Sequence, residues 1–272
     1  MGIGLHAIQL TMNLYKEGYF KQKKSIIELG SQDIHCHQDH VVSSIKTEIP
    51  KFKESEGRVC PKEFYQACGL DHYKSIDADG GGDFIFDLNK NILESYQYTK
   101  TFDVVTNHGT SEHCFDQFNV FNNIHNLCSV NGLMIHNLPF QGYLNHGFYN
   151  YQPNFFKDLA ITNNYSIIGM YLNIDHKSGD LIPYNDQLMS YFSLNPTSTI
   201  GIVVVLKKNT SEKFKTPFDG KYRDLSLLPP EDMRVTFQYI PGPRLERGKD
   251  IHSMSIKRLI KLLFIRIIKK IF

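Results

Sequence analysis

The sequence predicts an α/β fold, a mainly parallel seven-stranded sheet with helices on both faces, and three observations predict it. Short β-branched runs alternate with segments of helical apolar spacing, which is the order of a sheet covered by crossover helices. Glycines and prolines fall at the junctions between them. Acidic residues or glycines stand at the carboxyl ends of successive strands, where an open sheet of this kind meets its ligands. With 272 residues, 41% of them hydrophobic and 21% charged, the chain has enough apolar surface for a core without metals or crosslinks.

Leu5 to Phe20 spaces its apolar residues at three and four and reads as an amphipathic helix, with Gly18 near its end. Ser25 to Leu29 (SIIEL) is a buried strand stopped by Gly30. From Asp33 to Cys60 the pattern is lost in polar residues, Pro50 and a charge run, so an inserted loop or lid is expected there. Pro61 suits the first position of a helix and Gly69 its end. Strands follow at Tyr73 to Ile76, Asp83 to Phe86 after three glycines, and Phe102 to Thr106. Phe115 to Leu127 is helical, Gly132 leads the strand Leu133 to Asn137, and Pro153 opens a helix through Ala160. Ser166 to Leu172 and the strongly β-prone Ile200 to Leu206 complete the set of strands.

The formal charge of +2 is uneven. Residues 255–272 hold six basic side chains, and the remaining 24 basic against 28 acidic residues leave the body at −4. A mildly acidic body predicts no nucleic-acid partner. The five cysteines are odd in number with no C-x-x-C pair, which fits neither a disulfide framework nor a zinc ribbon and suits a reducing cytoplasm. Met1 to Gln9 has no basic leader, and His6 stands where an acylation signal needs Ser or Thr, so export and amino-terminal acylation are not expected.

The strand ends carry Glu28 with Gly30, then Asp77, Asp87 and Asn107. Gly30 is expected to bring backbone amides close to a ligand, and Asp77 to accept two ribose hydroxyls, so an adenosine-type ligand is the natural occupant. A dinucleotide would need G-x-G-x-x-G to seat its pyrophosphate, whereas this turn reads ELGSQDIH with one glycine. Loss of the phosphate cradle with retention of the ribose acid favours S-adenosylmethionine (SAM), whose methionine end bears a carboxylate and an ammonium group; Glu28 can meet that ammonium through water.

These residues resemble those of the class I SAM-dependent methyltransferases, in particular the group called methyltransferase domain type 11. The resemblance spans roughly Ser25 to Leu206, and its most telling segment is FDVVTNHGTSEHCFDQFNVFNNIHNLCSVNGLMIHNLP, with the acidic-His turn Glu112-His113; HGFYNYQPNFF is similar to a stretch in some bacterial members. It implies a Rossmann-like domain over 25–210 with an insert at 33–60, a helix over 1–24 before it and an extension over 211–254 after it. It further implies that Glu28, Gly30 and Gln32 line the methionine end of the cofactor, Asp77 the ribose, Asp87 with Leu88 the adenine, and that Asn107 lies under the methionine moiety. Two departures stand out, Gln32 in place of the family's second glycine and the long insert.

Methyl transfer to oxygen or nitrogen needs alignment and a proton acceptor. His108, His113, His136 and His146 are the candidates near the sheet edge, with Tyr149 and Tyr151 to position an acceptor. His146, in a Gly-flanked loop, is preferred as catalytic base, followed by His113, which has the alternative of capping the next helix. The run His35, Cys36, His37, Asp39 and His40 matches no closed tetrahedral spacing, so no metal site is predicted. The expected acceptor is a small molecule or a saccharide or glycolipid precursor. The alternatives are a degenerate binding protein of the same fold and an NAD-dependent oxidoreductase or epimerase. Residues 255–272 form an expected basic amphipathic helix, with Ile256, Ile260, Leu263, Phe264, Ile267 and Ile271 on one face; it suits peripheral contact at the inner face of the membrane, or docking on protein, and its charges exclude a span.

Overall fold

Alternation along each strand sends its residues to two separate cores, and this division organises the chain. In the computed structural model, which describes residues 2–35, 38–50, 52, 59–174, 181–185 and 199–219, Val104 and Val105 face opposite sides of the sheet, as do Ile26 and Ile27, and Val203 and Val204. One face carries α1 (Leu5–Lys16), α2 (Gln38–Glu48) and α3 (Pro61–Ala67), and the other α4 (Ile92–Tyr96), α5 (Gln117–Leu127) and α6 (Pro153–Thr162). The basic stretch 255–272 and most of the extension expected over 211–254 lie outside the described residues. No described helix is long and apolar enough to cross a membrane.

Among the described residues the seven strands are β1 (Ser25–Leu29), β2 (His72–Ile76), β3 (Phe102–His108), β4 (Cys128–Gln141), β5 (Tyr165–Asn173), β6 (Leu181–Pro183) and β7 (Ile200–Lys208). Their order in the sheet is β2-β1-β3-β4-β7-β5-β6. The pairings from β2 to β4 are parallel, β7 runs antiparallel to both β4 and β5, and β6 is antiparallel to β5. The fold is therefore the expected Rossmann-like α/β sheet, with a reversed strand between β4 and β5 that no pattern in IGIVVVL could announce. The set of seven also differs in one member. The strand expected at Asp83 to Phe86 is a single bridge, Phe84 to Ile76, and β6 takes its place in the count at the opposite edge.

Local chemistry explains most boundaries. Cys60 and Glu63 form a capping box at the start of α3, the Glu63 carboxylate accepting from the Cys60 amide at 3.2 Å, with Pro61 in the first turn. Asp116 caps α5 by accepting from the Asn119 amide at 2.9 Å. Two expectations are corrected. Within the polar stretch 33–60, expected as a loop, α2 forms because Val41 and Ile45, one turn apart, bury in the same core as α1. β4 extends well beyond Leu133 to Asn137, because its long antiparallel pairing with β7 continues to Gln141.

One buried cation fastens the far end of the sheet. The Lys208 ammonium donates to the carbonyls of His125, at 2.7 Å, and Cys128, at 2.9 Å, at the carboxyl end of α5 where unpaired carbonyls gather. Lys208→Ala is expected to lower the unfolding free energy by about 2–3 kcal/mol, the worth of hydrogen bonds to a charged group whose loss orphans buried carbonyls. Urea denaturation tests this, and a change within about 0.5 kcal/mol, the range of an ordinary surface substitution, would show that the ammonium fastens nothing.

Candidate active site

The strands β1, β2 and β3 end level with one another, and β4 passes that level at His136 and runs on to Gln141. Register places Leu29 beside Ile76 and Asn107, and His108 beside Asn137, so the turns after β1, β2, β3 and β4 share one edge of the sheet. Gly30 turns the chain there with φ +75°, and a Cβ on it would stand 2.5 Å from Gln32 Nε2 and 2.6 Å from Thr110 Oγ1. The amides of this turn are all used inside the protein. Gly30 donates to the Ile76 carbonyl at 2.8 Å, Ser31 to Asp77 Oδ2 at 2.8 Å and Gln32 to Glu28 Oε2 at 3.2 Å. The backbone amides that Gly30 was expected to bring to a ligand are, at residues 30–32, engaged within the protein.

What the turn leaves over is an acceptor. Gln32, the departure from the family's second glycine, is buried, and its Nε2 donates to Thr110 Oγ1 at 3.2 Å and to the Leu29 carbonyl at 3.4 Å. Its Oε1 has no hydrogen-bond partner. Thr110 Oγ1 itself donates to the Leu29 carbonyl at 2.6 Å, tying the turns after β1 and β3. Glu28 lies wholly buried beneath, accepting from Tyr73 Oη at 2.7 Å and Tyr65 Oη at 3.5 Å as well as from Gln32. Its place is under the turn, which it holds, and burial pushes its carboxyl up to about 7 against those three donors.

Asp77 stands half-buried at the end of β2, each carboxylate oxygen accepting one backbone amide, from Ser31 and from Asp79 at 3.3 Å. Four lone-pair sites minus two leave room for two hydroxyl donors. Beside it Gly82 has no space for a side chain, since a Cβ would meet the Asp77 amide at 2.7 Å. Asp87 accepts from the Asn89 amide and side chain, at 3.0 and 2.9 Å, which holds its carboxyl low. Leu88 is buried in the core beside it. Asn107 is also buried, its Oδ1 accepting from the Ser111 amide at 3.1 Å and its Nδ2 lying 3.3 Å from His136 Nδ1, so it caps the short 3₁₀ turn Ser111–His113.

That turn and the loop after β4 bring the two preferred histidines together around a residue the sequence reading had not chosen. Glu112 is fully buried, and neither carboxylate oxygen has a hydrogen-bond partner. Its Oε1 lies 3.6 Å from His146 Nε2 and 3.9 Å from His113 Nε2, and the two imidazoles meet edge to face with centroids 5.1 Å apart. Burial pushes the Glu112 carboxyl up to about 7 and the His113 imidazole down. Gly147 makes the approach feasible, because a Cβ there would meet Glu112 Cγ at 2.9 Å. The Glu112-His113 dipeptide was visible in the sequence; its meeting with His146, 33 residues away, was not.

The other candidates have structural places. His108 and His136 are buried and pushed down to about 3 by desolvation. Tyr149 donates to the Phe115 carbonyl at 2.9 Å, and Tyr151 Oη bonds Ser111 and Gln117. A cavity of about 680 Å³, lined by Phe121, Phe155, Leu159, Tyr184 and Phe214 among others, opens between α5, α6 and residues 214–219, and none of the predicted site residues lines it. Of the His/Cys run, His35 and Asp39 are exposed, while Cys36, His37 and the side chain of His40 lie outside the described residues.

No protein-family model matches the chain, and no curated protein matches it. Among solved structures it is similar to the O-methyltransferase of a trans-AT polyketide synthase multienzyme from Brevibacillus brevis, in complex with S-adenosyl-L-homocysteine (SAH), at 12% identity over 76% of this chain and 73% of that one, TM-score 0.45. It is similar also to the plantazolicin methyltransferase BamL in complex with a triazolic desmethylPZN analog and SAH, at 12% identity over 76% and 85%, TM-score 0.43. A third is a SAM-dependent methyltransferase from Archaeoglobus fulgidus, at 12% identity over 73% and 93%, TM-score 0.39. At such identities the likeness is one of fold and assigns no residue.

The buried carboxyl of Glu28 carries a pH signature. Its folded value of about 7 exceeds its ordinary 4.5, so the folded state holds the proton more tightly than the unfolded chain. The stability tied to that proton is complete below about 4.5 and is lost as the pH rises through about 7. The low histidines pull the other way, so the effect is read as a difference. Relative to the unsubstituted protein, Glu28→Gln should gain up to about 3 kcal/mol between pH 5 and pH 8, measured by urea denaturation. A pH-independent difference would place the Glu28 carboxyl in its ordinary range.

Proposed function

We propose that the protein is a SAM-dependent methyltransferase acting on a small-molecule acceptor. The observation that carries this reading is the amide account of the turn after β1. Gly30, Ser31 and Gln32 have no amide to give, while Gln32 Oε1 and Asp77 retain acceptor capacity. A pyrophosphate needs donors, so an NAD-type cofactor finds nothing here to bind its phosphates. An ammonium group and a ribose diol are donors and suit both positions. Gln32 thus replaces the family's glycine with an acceptor for the methionine ammonium, and Asp77 accepts from the ribose hydroxyls.

When bound, SAM supplies a sulfonium-activated methyl group, and the chain's own residues align the acceptor and take its proton. Glu112, His113 and His146 are proton-accepting groups gathered on the same edge as the cofactor turn, with Thr110 joining the two regions. The His146 imidazole, its Nε2 turned to the Glu112 carboxylate, takes the acceptor's proton at its other ring nitrogen, and the buried carboxylate stabilises the imidazolium that results. Leu144 and Phe148, two residues to either side of His146, are exposed, as is Phe115, whose ring packs on Phe148. Exposed apolar side chains around a polar centre suit an acceptor with an apolar body. The saccharide acceptor has no comparable observation behind it.

Calorimetric titration with SAH, beside NAD, tests the reading. SAH should bind and NAD should not, and Asp77→Ala should weaken SAH by about 10–100-fold, the worth of hydrogen bonds to a carboxylate. Binding of NAD in preference, or SAH binding indifferent to Asp77→Ala, would overturn it.

A further inference from the structure

We propose that Glu112, His113 and His146 form a binding site for a single divalent cation of the zinc class. One oxygen and two nitrogens from these residues lie within 4.8 Å of one another. The Glu112 to histidine separations, 3.6 and 3.9 Å, are too long for hydrogen bonds, which weaken beyond about 3.2 Å. They are close to the spacing of ligands around a shared ion, since zinc bonds of about 2.0–2.1 Å put the corners of a tetrahedron about 3.3 Å apart. Rotation of His113, whose side chain is 45% exposed, closes the remaining gap.

The independent observation is the state of Glu112. A fully buried carboxylate with both oxygens lacking hydrogen-bond partners is costly unless a cation or a proton compensates it. Its neighbours in the cluster are imidazoles, which are zinc ligands in their neutral form, and His146 Nε2 likewise has no hydrogen-bond partner. Two imidazoles and one carboxylate are a recurrent donor set for zinc, and three protein ligands leave a coordination position open to water or to an acceptor oxygen. With the cation bound, His146 is a ligand and not the base, and the cation itself acidifies an acceptor oxygen at the open position; that role rests on the methyltransferase reading, and the cation site itself does not.

The test is calorimetric titration of the chelator-treated full chain with zinc chloride at pH 7.5, with metal content measured after dialysis. Zinc should bind, and the stoichiometry should fall by one ion in Glu112→Gln and in His146→Ala, the second being a loop position outside the two apolar cores. The affinity lost at that site should exceed the roughly 10–100-fold typical of an outer-shell partner. The double variant Cys36→Ser/His37→Ala controls for the histidine and cysteine run near residue 36 and should leave this site unchanged. Absence of zinc uptake, uptake indifferent to both Glu112→Gln and His146→Ala, or uptake abolished by the control variant would each overturn the proposal. SAH titration of the same metal-free protein tests the cofactor reading separately, so the two fail independently.

Discussion

The Leu29 carbonyl is the point on which the functional edge depends. It ends β1, and the Thr110 hydroxyl, donating to it at 2.6 Å, binds the turn after β3 to the turn after β1. Gln32 spans the same gap through its amide nitrogen, and the Gly30 amide reaches across to Ile76 on β2. Three strand ends are thereby locked before any ligand arrives. A residue with a Cβ at Gly30 would strike both Gln32 and Thr110, so the positive φ and the close approach are one requirement.

This locking sets the chemistry of the edge by elimination. In the reading proposed above, amides consumed in the protein leave none for phosphate, and Gln32 Oε1 with the spare capacity of Asp77 suits a ligand that donates. The same logic separates the two buried glutamates. Glu28 has three donors and holds the turn, whereas Glu112 has none and faces two imidazoles. Both carboxyls are pushed up to about 7 by burial, and only Glu112 has imidazoles beside it.

The architecture supports the edge from below. Strict alternation commits Val104, Leu133, Ile135, Val203 and Val205 to the core under α1, α2 and α3, and Val105, Met134, Val204 and Leu206 to the core under α5 and α6. A register slip of one residue would exchange the two cores, so the level of Leu29, Ile76, Asn107 and His136 along the edge is fixed by apolar burial far from the site. The reversed β7 adds to this by pairing β4 along most of its length.

The sequence by itself determined the α/β class, most strand and helix positions and the residues at the strand ends, because period-two and period-3.6 patterns, prolines and glycines act within a few residues. SIIELG, Pro61 at the head of α3 and Pro153 at the head of α6 are legible in that way. Only the tertiary structure decided the direction of β7, the helix inside the polar stretch 33–60, the reduction of Asp83 to Phe86 to a bridge and the gathering of Glu112, His113 and His146. Strand direction and partner choice are set by which surface is left to bury, and α2 is helical because Val41 and Ile45 find α1, a fact that local polarity conceals. The raised carboxyl of Glu112 is likewise a property of enclosure, since burial by the fold is what removes its water.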